Sequence, residues 1–129
     1  MYAAQSALAQ YKRINTESAL EGASPHQLIQ MLLNGALERL TQAKGALARQ
    51  DVAQKGLLIG KAISIVGGLR ASLDENAEPQ MTANLSSLYE YMQRRLLEAN
   101  LHNDVARLDE VIDLLTTVKE GWDAIAPAA

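Results

Sequence analysis

The side chains able to do acid–base or metal chemistry are few, and none is arranged for it. His26 and His102 are the only histidines, and there is no cysteine, which removes disulfides, thiolate ligands and thiol nucleophiles together. A di-metal site in a helical bundle needs paired Glu-x-x-His motifs with further glutamates facing inward. Glu98 and His102 are four positions apart with no second copy, and both histidines fall at expected helix ends, where an imidazole is solvated. No nucleophile-elbow pattern places a serine. Gly67-Gly68 is an isolated pair inside a helical stretch and not a phosphate-cradling loop. Close helix packing or local flexibility explains it. Gly56 and Gly60 share the small-xxx-small spacing, which here reads as close helix approach. The sequence therefore assigns no catalytic, cofactor-binding or metal-binding residue. No cofactor and no enzymatic activity are expected.

The apolar residues dominate instead. They make up 48% of 129 residues, enough for one packed domain. Aromatics are only 4%, with no Phe, so Ala and Leu supply the mass. Such residues lose little rotamer freedom in a helix, and the period-two β-branched runs of strands are absent. Twelve basic against 15 acidic residues give a net charge of −3. The only adjacent basic pairs are Lys12-Arg13 and Arg94-Arg95, so a nucleic-acid partner is not expected. No apolar stretch reaches the roughly 18 residues of a membrane span, so no membrane insertion is expected. The first residues, Met1-Tyr2-Ala3-Ala4-Gln5, lack the regions of a signal peptide. A cytoplasmic protein fits these features.

Periodicity and capping signals divide the chain. Residues 1–23 read as a weakly amphipathic arm anchored by Leu8, Tyr11, Ile14 and Leu20, broken at Gly22-Ala23. Ser24-Pro25-His26-Gln27 is a helix start with a capping-box spacing and Pro at the first helical position. That helix is predicted to run to about Arg49. Asp51 and Gln54 begin a second, predicted to reach about Leu73. After the polar segment 74–79, a third helix carries Met81, Leu85, Leu88, Met92, Leu96 and Ala99 at three- and four-residue spacing. Asn103 or Asp104 caps a last helix with a stripe of Leu108, Val111, Ile112, Leu115, Val118 and Trp122. The expectation is an all-α, antiparallel up-down four-helix bundle over 24–125, with an N-terminal arm or short helix over 1–23 and a tail over 126–129.

More apolar side chains are present than one stripe per helix requires. On the second helix Ile59, Ile63, Val66 and Leu73 form one seam, and Leu58, Ala62, Ile65 and Leu69 form another beside it. Leu33 and Leu37 sit off the main stripe of the first helix, as do Tyr91 and Leu97 on the third. A central helix touching two neighbours needs a wide stripe. Alternatively, one seam stays partly open as a groove for an amphipathic partner segment. The sequence leaves both readings open.

Several segments resemble one known family. Ala23-Ser24-Pro25-His26-Gln27-Leu28-Ile29-Gln30-Met31-Leu32, followed by Gly35-Ala36-Leu37, is similar to the opening helix of the flagellin-specific export chaperones, the FliS family. Leu85 through Met92, then Arg94-Arg95-Leu96-Leu97-Glu98-Ala99-Asn100, resembles the family's third-helix signature. Asn103-Asp104, Glu110-Val111 and Trp122 match its last helix, and Lys61-Ala62-Ile63-Ser64-Ile65-Val66 its Lys-Ala-x-x-Ile-Ile stretch. The match runs nearly end to end in order. Leu33-Asn34 before Gly35 and Leu8 ahead of Tyr11 depart from it but keep an apolar side chain.

The resemblance implies a cytoplasmic chaperone of flagellar type III export that binds the C-terminal segment of unpolymerised flagellin. It would prevent premature polymerisation and aid delivery to an export-gate component. A disordered terminus that folds on the chaperone surface can wrap a large area. Candidate partner-binding residues are Leu8, Tyr11, Ile14, Leu33, Leu37, Leu58, Ala62, Ile65, Leu69, Tyr91 and Leu97, with the arm covering part of the groove. The readings of another class are a generic helical interaction bundle and a histidine phosphotransfer domain, the latter needing a histidine on an exposed mid-helix face.

Overall fold

A computed structural model describes residues 22–74 and 78–125. Four helices follow in order: α1 (Pro25–Ala48), α2 (Val52–Ala71), α3 (Pro79–His102) and α4 (Val105–Ala124). Each begins where local chemistry can satisfy the free N–H groups of a first turn. Ser24 Oγ accepts from Gln27 N at 3.1 Å while Gln27 Oε1 accepts from Ser24 N at 2.9 Å, the reciprocal capping box expected for α1. Asp51 accepts from Gln54 N at 3.1 Å, and Asp104 from Ala106 N at 2.9 Å. Glu78 makes no side-chain cap at α3, where Pro79 occupies the first turn.

The α1–α2 and α3–α4 turns are built alike. Gln50 (φ 58°) and Asn103 (φ 51°) are left-handed. Asp51 N returns to Ala46 O at 2.8 Å, and Asp104 N to Ala99 O at 3.0 Å. These bonds occupy carbonyls that a helix end leaves open, and they reverse the chain within three residues.

Each helix packs on its two sequence or closing neighbours: α1 on α2, α2 on α3, α3 on α4 and α4 on α1. The result is the expected antiparallel up-down bundle around one core. Leu32, Leu40, Ile59, Val66, Met92, Leu96, Leu108 and Leu115 fill it, each buried leucine or isoleucine contributing roughly 1.5–3 kcal/mol. Ala36, Ala43 and Ala46 of α1 and Ala62 of α2 are fully buried. The calls that fall on residues 1–21 and 126–129, the arm and the tail, lie outside the described residues.

Three expectations change. His26 is not a solvated surface residue: its ring stacks on Trp122 with centroids 4.5 Å apart and planes 9° apart. Trp122 Nε1 also donates to His26 O at 3.0 Å. The stack covers the imidazole, and its Nε2 is buried with no hydrogen-bond partner. Secondly, α2 is long and apolar enough by length and composition to cross a membrane, although only part of it is buried in the bundle. Its apolarity reflects its place against two neighbours. Thirdly, among the described residues Gly60 has nothing within 4 Å of where a Cβ would stand, so none of the four helices approaches it closely. Close packing holds at buried Gly68, and at Gly67, where an added Cβ would meet Gln93 Nε2 at 3.2 Å.

Candidate partner-docking surface

The residues expected to meet a partner do not share one surface. Leu58, Ala62, Ile65 and Leu69 are in the core, as are Ile59 and Val66 of the other seam, and so is Leu33. The seam of Leu58, Ala62, Ile65 and Leu69, one candidate for an open groove, is therefore closed in this conformation. The reason is that α2 packs against both α1 and α3, and each contact takes a seam. The partly exposed residues, Ile63 and Leu73, belong to the seam of Ile59 and Val66. Leu37 is half-buried against the core. It lines a shallow depression of about 470 Å³ on α1 with Asn34, Glu38, Thr41 and Gln42. Leu97 is 58% exposed. Leu8, Tyr11 and Ile14 lie outside the described residues.

Tyr91 is half-buried and tied down. Its hydroxyl donates to Glu110 Oε2 at 2.6 Å, and Arg95 Nε donates to Glu110 Oε1 at 2.6 Å. The hydrogen bond from Tyr91, then that from Arg95, hold the Glu110 carboxyl below its ordinary range. The same bond to Glu110 raises the Tyr91 hydroxyl above its own. Tyr89, two residues earlier and buried, is pushed up to about 12 by burial. Tyr91, Arg95 and Glu110 join α3 to α4 and commit the one hydroxyl proton of Tyr91 to Glu110.

The surface that remains is on α2. Ala53, Leu57, Gly60, Ser64 and Ala71 are exposed along one line at three- and four-residue spacing, with half-exposed Gly67 among them. Side chains this small leave the helix backbone open to close approach, the condition under which two helices pack tightly. Leu57, 53% exposed, is the large apolar side chain on the line. Sequence reasoning missed this face because a hydrophobic wheel weighs leucines and isoleucines; the Gly56/Gly60 spacing was the available signal.

An open groove of about 790 Å³ continues this face between the end of α2 and the start of α3. Gly67, Ala71 and Leu73 line one wall, Pro79, Thr82 and Ala83 the other. Arg70 bridges them, donating through Nε to Ser86 Oγ and through Nη2 to Glu90 Oε2, both at 3.0 Å. Thr82 Oγ1 donates to Asp74 O at 2.9 Å and fixes the groove's end. At the other end of the α2–α3 seam, Lys55 is buried, and its Nζ donates to Asn100 O and Oδ1 at 2.8 Å each. An ammonium there neutralises the carbonyl end of α3. Among the described residues no group of three or more His, Cys, Asp or Glu could hold a metal ion. The surface offers apolar contact, close backbone approach and one bridging guanidinium, which are means of holding a peptide.

Residues 7–129 match the model of a family described as "Flagellar protein FliS". Among curated relatives, the chain is 52% identical to the Flagellar secretion chaperone FliSB of Pseudomonas aeruginosa, over 98% of this chain and 99% of that protein. It is 46% identical to the Flagellar secretion chaperone FliS of Salmonella typhimurium, over 100% of this chain and 96% of the relative. With the protein of the same name from Escherichia coli the identity is 44%, covering 95% and 90%.

Proposed function

This chain belongs to the flagellar protein FliS family, and on that footing we propose that it is a cytoplasmic flagellar export chaperone whose client is unpolymerised flagellin, held through its C-terminal segment. The relatives carry the name of flagellar secretion chaperones, which supports the chaperone role. The observation that supports a peptide client is the exposed small-residue face of α2 running into the α2–α3 groove. An amphipathic helix laid along Leu57, Gly60 and Ser64 reaches the α2 backbone without displacing a core side chain. The ordering cost of a disordered terminus is offset by the apolar area it buries. Held in this way, the terminus is withheld from polymerisation until it is handed to an export-gate component.

Residues 1–23 are the second half of this reading. Leu8, Tyr11 and Ile14 are too few for a core of their own. They would cover part of the groove until the client displaces them, while Leu37, Tyr91 and Leu97 would contribute to the rim. Self-occlusion divides the intrinsic dissociation constant by the fraction of open molecules and so weakens binding; deletion of residues 1–14 should tighten it.

Calorimetry of the chain against full-length flagellin and flagellin lacking its C-terminal segment tests the client. Equal affinity for the two would remove the proposed site. Leu57→Glu combined with Gly60→Gln tests the surface: the thermal melt should stay near wild type while flagellin affinity falls at least tenfold. Unchanged affinity would move the client off α2.

A further inference from the structure

The two turns at one end of the bundle repeat each other in sequence as well as in backbone. Arg49-Gln50-Asp51-Val52-Ala53 returns as His102-Asn103-Asp104-Val105-Ala106: a basic residue, an amide, aspartate, valine and alanine in the same order. The turn itself explains most of this pattern. The basic residue stands at a carbonyl end, the amide takes the left-handed position and the aspartate caps the next helix. Alanine suits a first turn. The valine is left over. Val52 opens α2 and Val105 opens α4, and they are 55% and 45% exposed. A β-branched side chain there loses rotamer freedom without being buried in return.

Both valines line one open depression of about 490 Å³, together with Leu47, Ala48, Gln50 and Asn103. Lys44 also lines it and is paired with Asp109, so the depression lies on the edge where α1 meets α4. The α2–α3 groove proposed for the client is on another edge. Its first residue, Gly67, is roughly 22 Å further along α2 than Val52, at 1.5 Å per residue.

The rim of the depression is short of free carboxylates. Asp51 accepts from Gln54 N, and Asp104 accepts from Ala106 N and from Arg107 Nη1, so both are engaged. Arg49 and His102 are exposed and, among the described residues, make no ion pair or side-chain hydrogen bond. The Arg49 guanidinium lies along α1, with Nη1 3.2 Å from where a Cβ on Gly45 would stand. We propose that this end of the bundle docks an acidic segment of a protein other than the client. One large apolar side chain of that segment seats between Val52 and Val105, and its carboxylates face Arg49 and His102. A second copy meeting this end with its own would set the same cations against each other, so charge selects a different protein. The buried anchor supplies most of the binding, and the charges choose the sequence around it. With the client on the α2–α3 side and this segment on the α1–α4 side, the chain can carry both at once.

Amide chemical shifts of the full-length chain, recorded without flagellin, test the proposal. The probe is a short blocked peptide with one central leucine flanked by glutamates. Titrated to millimolar concentration, it should move the amides of Gln50, Val52, Asn103 and Val105 along a saturable curve. The counterpart with lysines in place of the glutamates should bind at least tenfold more weakly, and so should the peptide with alanine at its centre. Arg49→Glu should lower affinity for the glutamate peptide at least fivefold. Val52→Ser combined with Val105→Ser should abolish the response while the thermal melt stays near wild type, since both caps remain. No response at millimolar peptide, equal binding of the two charge forms, or shifts centred on Gly67 and Leu73 would overturn the proposal. So would movement of the same amides on concentrating the chain alone, which would mark this end as a contact between copies. None of these readouts depends on a flagellin site.

Discussion

Helices α2 and α4 are equal in length, 20 residues each, but they are held by different means. Helix α4 is tied to both neighbours by directional bonds: Glu110 to Tyr91 and Arg95, Asp109 to Lys44, Asp123 to Gln30, and Trp122 to His26. Helix α2 carries no carboxylate. Its polar ties are Lys55 and Arg70 to α3 and the Ile63 carbonyl receiving Gln93, and among the described residues none runs to α1. It is instead buried on two seams, with eight residues in the interior. Burial is non-directional and leaves the third side of the helix free to be made of small residues. Polar ties on α4 leave fewer free surface groups. The helix fixed by burial therefore has the open face on which we propose the client docks.

The largest effect that could break this contrast is on the two seams of α2. Ile65→Asp and Val66→Asp should each leave the chain unfolded at 25 °C, since an unpaired buried carboxylate costs several kcal/mol. Circular-dichroism melts that show either variant folded would mean that its seam is open. The next effect is smaller. Lys55→Met keeps the apolar stem but strands two acceptors on Asn100, and should cost about 1–3 kcal/mol, read as a lower urea midpoint at constant slope.

Two glycines sharpen the comparison further, because Gly60 on α2 and Gly121 on α4 both have open space where a Cβ would stand. Replacement by Ala should stabilise the chain by up to about 1 kcal/mol at each site. Only Gly60→Ala lies on the proposed client surface, and only it should lower flagellin affinity. Gln50→Gly should also stabilise, by up to about 1 kcal/mol, since a left-handed Gln is strained. Asn103→Gly should gain less, because Asn tolerates that conformation.

The smallest effect is on pH. Hydrogen bonds from Tyr91 and Arg95 lower the Glu110 carboxyl, and those from Lys119 and Gln30 lower that of Asp123. A carboxyl depressed on folding stabilises fully above its unfolded value, about 4, and loses that contribution as pH falls through its folded value. The acid limb of the stability curve should therefore become shallower in Glu110→Gln and remain unchanged in Ser64→Ala on α2.

Much of this was legible in the sequence, for a physical reason. Caps act over three residues, so Ser24-Pro25-His26-Gln27 and Asp51-Val52-Ala53-Gln54 declare their helices locally. The ends of α2 and α4 fall one or two residues short of the expected positions because the last turn depends on tertiary contact. Lys55 could not be read this way, since its partner Asn100 is 45 positions distant and a lysine near a helix start looks solvated. The same holds for His26, whose covering ring is 96 positions away. The fate of the α2 seams needed knowledge of which two helices flank it, and that is a property of the bundle.

The two short reversals at Gln50 and Asn103 have a mechanical consequence. Each clamps a helix pair through a backbone bond across its turn, Asp51 N to Ala46 O and Asp104 N to Ala99 O. The α1–α2 and α3–α4 pairs thus act as two stiff boards, joined along the contact between α2 and α3 as a spine. Any loosening of the bundle opens it like a book, and the edge that parts is the one where α4 meets α1. Trp122, the only tryptophan, lies on that edge against His26. Its emission is a built-in gauge of how far the boards have opened.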